Sequence, residues 1–366
     1  VDSAPTRKDL FRPLMLSLRP RDRVVVTAAN GFIGSAVSRA LVARDIHVVA
    51  MMDSASAKLS IAGLPVESVE IDVLDSKATT RSFEGARVVI HIAPDYRFVS
   101  RDPSHFQSIN VEGTRRVLLA AQAVGCEKVV YTSSVGTIYL DGATMEAPAD
   151  EADAARFDQL EGFYRQSKYS AEHEVLRVAA EGLPVTLVLP TTSLGPYDFA
   201  PSPSGRIVVN FLNGATAGWF DTALNIVDVD DLANGYLLAI ERGAIGRSYI
   251  LGGTNLSFEE LYALLTECTG LRRSGFRVPR YVALGAALFS EISQGKILHR
   301  EPSIPIEGVR LATRKLVFSD QRARDELGYK TREAIETIDR AARWFTENGF
   351  VDPKHASRIH WRGAAS

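Results

Sequence analysis

From residue 23 onward, short apolar runs alternate with stretches of helical period. RVVVTAA (23–29) is β-branched and uninterrupted by polar positions, which predicts a buried strand. GFIGSAVSRALVARD follows, with Ile33, Val37, Ala40 and Leu41 at helical spacing. HVVAMM, VESVEI and RVVIHIA predict the second, third and fourth strands, KVVYTSS the fifth and PVTLVLP the sixth. A helix over SINVEGTRRVLLAAQAVG stops at Gly125, and another from about Gly162 to Ala180 ends near Gly182. Fully apolar strands separated by helices predict a parallel sheet covered on both faces, with right-handed crossovers. The expected class is α/β, a doubly wound Rossmann fold.

Beyond Pro190 the alternation weakens. TTSLGPYDFAPSPSGR is rich in Pro, Ser and Gly and reads as a loop. After it the pattern predicts a strand near Leu224–Val227, a helix from Val229 to Glu241, a strand at RSYILGG, a helix from Phe258 to Thr269 and a last helix from about Thr331 to Asn348. The expected organisation is a flexible arm (1–22), a dinucleotide-binding Rossmann domain (23–194), a smaller substrate lobe interleaved with the sheet (195–350) and a tail (351–366). No internal repeat or low-complexity tract is visible.

Composition narrows the function classes. The chain has 366 residues, 46% hydrophobic and 23% charged, with a net charge of -2, so nothing favours nucleic acid as a partner. Cys126 and Cys268 stand alone and make neither a disulfide framework nor a zinc site; no metal is expected, and a reducing, cytoplasmic compartment is. No apolar run reaches the ~18–20 residues of a membrane-spanning helix. The basic opening segment lacks the apolar centre and cleavage site of a secretory signal. It reads as a disordered arm, with peripheral docking to a membrane or a partner as the alternative. The expected partners are a small-molecule substrate and a second copy in a homodimer.

The first strand runs into TAANGFIGSAV, which puts Gly31 and Gly34 at the second and third places of a G-x-x-G-x-x-G turn and Ala28 at the first. Such glycines allow a tight bend, close backbone approach to a pyrophosphate and close helix–strand packing. The turn Ala28, Asn30, Gly31, Phe32, Ile33 and Gly34 would then present helix N-terminal N–H groups to the phosphates. Ala28 adds a methyl group where the backbone must turn, and an empty, degraded site is the alternative. Asp53 ends the second strand, 19 residues after Gly34, where a carboxylate can accept from the adenosine ribose. It would repel a 2′-phosphate by about 4 kcal/mol at ~4 Å and an effective dielectric of about 20, which even discounted favours NAD over NADP about tenfold. A solvated loop carboxylate is the alternative. Asp72 can take the adenine amino group, with Val73 against the ring, or merely cap a turn. Ala93 falls beside the middle of the cofactor, where a small residue is needed, and His91 reads as a packed histidine.

The fifth strand ends in Thr132-Ser133-Ser134, and YRQSK then places Tyr164 and Lys168 four residues apart on one helical face. Free tyrosine has a pKa of about 10, and a lysine cation one turn away favours its phenolate. Lys168 can also bind the nicotinamide ribose. Ser134 would hold a substrate oxygen and share its proton with Tyr164, while hydride moves to or from the nicotinamide. A surface helix with an ordinary Tyr and Lys is the alternative. Tyr169 has no lysine four residues later.

TAANGFIGSAV, HIAPDYRF, NVEGTRRVLLAA, VVYTSSV, YRQSK and LVLPTTSLGP together resemble the extended short-chain dehydrogenases/reductases over roughly residues 23 to 350. Within them the chain is similar to the dihydroflavonol-reductase-like group, and to hopanoid-associated sugar epimerases through DYRF, PSPSGRIVVNFLNG and WFDTALNIVDVDDLANGYLLAIERGAIGRSYILGG. The resemblance implies the triad Ser134, Tyr164 and Lys168, with Asn110 helping to place the lysine through water. It implies Pro190 and Ser193 near the nicotinamide carboxamide. Three positions depart from the pattern: Ala28 for the first glycine, Asp53 for an arginine that would hold a 2′-phosphate, and Asp228 for a histidine, which suggests an altered substrate or partner. Arg206 could bind an anion of the substrate or sit on the surface. RVPRYVALGAALFSEISQGKIL (277–298) reads as core or as an apolar lid suited to a polycyclic or isoprenoid substrate. Three functions stay open: an NAD(P)-dependent dehydrogenase or reductase, an epimerase that retains NAD, and a non-catalytic accessory subunit.

Overall fold

The computed structural model describes residues 14–52, 58–92, 106–216, 218–219, 221–272, 275–277 and 314–363. Strand β1 (Arg23–Thr27) leads into α1 (Phe32–Val42), β2 (His47–Met52), β3 (Glu67–Glu70), α2 (Ser76–Ser82) and β4 (Val88–Ile92). A π-helical turn (Gln107–Gly113) continues into α3 (Thr114–Ala123), followed by β5 (Lys128–Thr132), α4 (Phe163–Ala180), β6 (Val185–Pro190) and β7 (Thr192–Leu194). Then come α5 (Pro203–Leu212), β8 (Gly218–Trp219), β9 (Ala223–Asp228), α6 (Val229–Arg242), β10 (Ser248–Leu251), β11 (Thr254–Ser257), α7 (Phe258–Thr269), β12 (Phe276–Arg277), α8 (Ala334–Glu347) and α9 (Pro353–Ala356).

Seven strands form one sheet in the order β10-β6-β5-β4-β1-β2-β3, every pair parallel. The apolar runs do not alternate with polar positions because both faces are covered. Val24, Val26, Val48, Ala50, Val88 and Ile90 enter a core shared with α1 and α6. The intervening Val25, Val49, Val89 and Val129 enter a second core with α3 and α4. The chain runs outward from β1 to β3 and returns to β4 on the other side of β1. The crevice at a doubly wound sheet's switch point therefore opens above the carboxyl ends of β1 and β4. A three-stranded sheet, β11-β9-β7, and helices α5, α7 and α8 enclose a third core above that edge.

Several elements differ from expectation. Part of the expected loop after Pro190 is strand β7, and its Ser-Pro-Ser-Gly stretch starts helix α5. Ser202 is the N-cap, accepting from Gly205 N–H at 3.1 Å, and Pro203 takes the first helical position, where its missing donor is harmless. The expected helix over residues 108–125 opens as a π turn, and the last helix begins at Ala334 rather than Thr331. The arm expected to be flexible to residue 22 is fastened from Leu16: Leu16 is buried, its N–H donates to Glu241 O at 3.0 Å, and Arg87 holds Ser17 O (2.9 Å) and Asp22 (2.5 Å). Residues 351–363, expected as a tail, lie along α7 and α8. His360 and Arg362 N–H groups bond Thr269 and Cys268 carbonyls (2.8 and 2.9 Å), and Arg343 stacks on Trp361. Among the described residues no helix is long and apolar enough to cross a membrane.

Candidate active site

The turn after β1 shows why its residue types recur. A Cβ added at Gly34 would lie 2.2 Å from Ala28 O and 2.9 Å from Ala29 Cα, a backbone collision that only glycine escapes. At Gly31 the same test gives 3.2 Å to Ala28 O, and the Gly31 N–H bonds that oxygen at 2.9 Å. Ala28 takes φ +48°, the left-handed region that glycine tolerates without penalty. Helix α1 starts at Gly31 with no side-chain cap and no acidic residue in its first turn, so its leading N–H groups suit an anion.

Two cavities meet at this turn, and Ala28, Gly31 and Phe32 border both. One, of about 370 Å³, is lined also by Asn30, Met52, Asp72 and Val73. The other, of about 310 Å³, is lined also by Gly34, Thr132, Ser134, Tyr164, Lys168, Pro190 and Ser193, with Ile33 at its edge. Asp72 caps its own turn, accepting from Leu74 N–H at 2.8 Å, while still facing the first cavity. Val73 packs so closely on Gly113 that a Cβ there would sit 3.1 Å from its methyl. Asp53 and Ala93 lie outside the described residues, as does 278–298 of the apolar segment.

Ser134 caps a short 3₁₀ turn, Val135–Thr137, and its Oγ accepts from Gly136 N–H at 3.0 Å. Tyr164 and Lys168 are buried, and Lys168 Nζ donates to Thr132 O at 3.3 Å. All three side chains face the same cavity. Asn110 lines neither cavity. It is wholly buried on the π turn, donates from Nδ2 to Ser167 Oγ at 3.0 Å, and its Oδ1 meets no donor. Ser167 in turn donates to Tyr164 O at 2.8 Å, so Asn110 grips the helix between the tyrosine and the lysine. Thr132 Oγ1 is taken by Tyr236 OH at 2.8 Å. His91 is buried between Thr27 Oγ1 (2.9 Å) and Thr114 Oγ1 (3.0 Å). Burial, and then the Lys168 charge, push its pKa down to about 3, so it is a neutral packed residue. Tyr169 turns away, against Phe157 and His173.

Asp228, read as a departure bearing on substrate or partner, and Arg206, read as an anion ligand or a surface residue, border neither cavity. Asp228 is buried, caps α6 through Asp230 N–H (2.8 Å) and pairs with Arg340 (2.6 Å) and Arg332 (3.4 Å). Its carboxylate joins α8, through Arg340, to the start of α6. Arg206 is exposed, as the surface alternative expected, and donates to Pro201 O at 3.0 Å. Conversely, the hydrophobic–polar pattern misses Tyr197, which takes φ +72°, lines the first cavity and lies under the Arg39 guanidinium at 3.7 Å. It also misses Leu140, Leu316 and Phe318, which form an apolar wall of the second cavity, and Arg165 beside the tyrosine. Glu172, which accepts from Ser133 Oγ and from Thr137 Oγ1 (2.9 Å) behind the cavity, was also missed, although it stands four residues after Lys168 on the same helix face.

The sequence pattern of the NAD dependent epimerase/dehydratase family matches residues 24–252. A putative dihydroflavonol 4-reductase of Synechocystis is 34% identical, over 90% of this chain and 96% of its own. Sterol demethylase protein B of Methylococcus capsulatus is 29% identical, over 89% and 99%. The crystal structure of gox2253 superposes with a TM-score of 0.80 at 36% identity, covering 91% of this chain and all of that one.

Proposed function

The chain belongs to the NAD dependent epimerase/dehydratase family, a group of extended short-chain dehydrogenases/reductases, and on that premise we propose that it is an NAD-dependent oxidoreductase acting on a secondary alcohol or ketone of an apolar small molecule. One observation carries this reading. Two cavities join across an uncapped, glycine-cleared helix start, and Ser134, Tyr164 and Lys168 border the inner one.

The residues fit a dinucleotide. The close packing of α1 on the turn that Gly34 permits, and the uncapped N–H groups at the start of α1, suit a pyrophosphate. The cavity holding Asp72 and Val73 suits the adenosine, and the one holding Thr132, Pro190 and Ser193 the nicotinamide. When bound, NAD supplies hydride exchange at the nicotinamide ring. The chain's own residues handle the proton. Ser134 Oγ holds the substrate oxygen, and the Tyr164 phenol gives or takes the proton there. Lys168 favours the phenolate by its charge and holds the ribose hydroxyls. Asn110, through Ser167, keeps the helix turn between the two in place.

Asp53, the next residue in sequence after β2, supports NAD over NADP by repulsion of a 2′-phosphate. Leu140, Leu316 and Phe318 support an apolar substrate, in keeping with the sterol enzyme among the relatives. Exposed Leu119 on α3 with Phe163 and Leu176 on α4 supports a homodimer across those helices. Two buried cysteines without a disulfide support a cytoplasmic setting.

Calorimetric titration with NAD, NADH, NADP and NADPH tests the cofactor reading; equal or tighter binding of the phosphorylated pair refutes the role of Asp53. Tyr164→Phe should cut turnover of a carbonyl substrate by about 10²–10⁴-fold, the range for a positioned proton donor. Undiminished turnover overturns the catalytic assignment.

A further inference from the structure

The loop that carries Ser134 is gripped at four points by helix α4. Arg165 Nε donates to Gly136 O at 2.6 Å, and its Nη2 donates to Ile138 O at 3.1 Å. Ser133 Oγ donates to Glu172 Oε1, and Thr137 Oγ1 reaches the same oxygen at 2.9 Å. Gly136 is thus held from both ends, its N–H by Ser134 Oγ and its carbonyl by Arg165. Arg165 and Glu172 stand seven residues apart, two helical turns, so they project from one side of α4. Arg165 directly follows Tyr164, and Glu172 follows Lys168 by one turn.

We propose that Arg165 and Glu172 are positioning residues that bolt the Ser134 loop to the helix bearing Tyr164 and Lys168, setting the serine hydroxyl and the phenol at one substrate oxygen. This rests on the oxidoreductase reading above. Stability alone does not explain the arginine. Its side chain is only 8% exposed, and it pairs with no carboxylate among the described residues. Burial, and then the neighbouring charge of Arg314, act against its protonation, opposed by a smaller favourable field from the Glu161 and Asp141 carboxylates. A buried charge whose hydrogen bonds go to neutral carbonyls rather than to a carboxylate is ordinarily outcompeted by an apolar side chain of similar size. What the guanidinium offers is a rigid fork that fits two carbonyls two residues apart, which a lysine's single ammonium cannot copy. Two catalytic groups from different elements must share one atom of substrate, and a misplacement of about 1 Å can lower the rate a hundredfold. The strap removes that freedom.

The test uses the full chain saturated with NADH. Amide exchange of the segment 133–138 is followed in wild type, Arg165→Lys and Glu172→Gln, with turnover of α-tetralone, a bicyclic aryl ketone, measured alongside. Both variants keep much of the side-chain volume, and Glu172→Gln keeps an acceptor oxygen. The expected result is exchange of the Thr137 and Ile138 amides faster by about tenfold or more in Arg165→Lys, with a smaller increase in Glu172→Gln, and no change in the affinity for NADH. In turnover, kcat should fall about tenfold in Arg165→Lys with KM for NADH unchanged, and the same change made in Ser134→Ala should cost nothing further, because the effect passes through the serine. Unaltered exchange in Arg165→Lys overturns the proposal whatever the turnover. An additive loss in the Ser134→Ala background does so too. Full activity of Tyr164→Phe instead overturns the oxidoreductase reading and leaves the exchange result standing, so the two failures are distinguishable.

Discussion

Replacing Ala28 by glycine should stabilise the protein. Ala28 sits at φ +48°, and no other residue between β1 and α1 has a positive φ. A left-handed conformation costs an alanine roughly 1–2 kcal/mol through the clash of Cβ with the following carbonyl. Glycine escapes that cost but surrenders about 0.5–1 kcal/mol of extra freedom in the unfolded chain. The difference leaves a net gain of about 0.5–1 kcal/mol. Spread over the unfolding entropy of a chain this long, it is worth about 1 °C in Tm, so the urea midpoint is the better readout. Ala28→Val works in the opposite direction, since a β-branched side chain is a genuine outlier at positive φ. The ordering should be glycine above alanine above valine, in the apo form. With NADH the spread should widen, because Ala28 borders both cavities and, in the proposed binding mode, its methyl would crowd the pyrophosphate. Ligand binding then adds its own linkage term to the more open turn. A glycine variant less stable than wild type by more than the flexibility loss would refute the strain, and unchanged NADH affinity across the series would refute the crowding of the pyrophosphate.

Lys128 is wholly buried, with Gly243 O its acceptor at 2.5 Å, and burial pushes its pKa down to about 7. The unfolded chain, with an ordinary lysine pKa of about 10.4, binds more protons between pH 7 and 10, so wild-type stability from this residue rises over that window and is at its lowest below pH 7. Lys128→Met removes the slope: its stability relative to wild type, from urea midpoints, should be a few kcal/mol better at pH 6 than at pH 9.5, and a pH-independent difference would contradict a buried neutral amine. Asp228→Ala should destabilise by about 1–3 kcal/mol, because it uncaps α6 and takes one carboxylate from each of Arg340 and Arg332, which keep Asp230 and Asp231, while kcat per folded molecule stays unchanged. A loss of kcat with stability intact would return Asp228 to the substrate site.

What could be read from one dimension follows what is periodic or local. The seven-stranded sheet was legible in its first six strands because residues such as Val24 and Val25 are both apolar yet serve opposite cores. The tight turn after β1 was legible because the requirements at Gly31 and Gly34 are local, set by Ala28 and Ala29 three to six residues back. The departure at Ala28 was also visible, although its consequence, a strained φ, appears only in the backbone. Helix α5 was missed because Ser202 and Pro203 serve loops and helix starts alike, and only the bond to Gly205 N–H separates them. Asp228 misled because a substitution near the substrate lobe says nothing of partners more than a hundred residues away; its charge answers Arg340 and Arg332.

The deeper limit concerns what holds a site together. Ser134 could be picked out because it lies just beyond the carboxyl end of a predicted strand, where doubly wound sheets place ligands, and Tyr164 and Lys168 because they stand one turn apart on the predicted helix that follows it. Arg165 is adjacent to one of them and still escapes notice, since its work is done on the carbonyls of Gly136 and Ile138. Backbone carbonyls are the same at every position, so no residue type in the loop marks them as targets. Side chains that meet substrate are constrained by their own chemistry, which a sequence displays. Side chains that fix those groups are constrained by geometry between elements. Preorganisation is therefore the part of such a site that must be sought in the fold, through charges buried without an opposite charge to justify them.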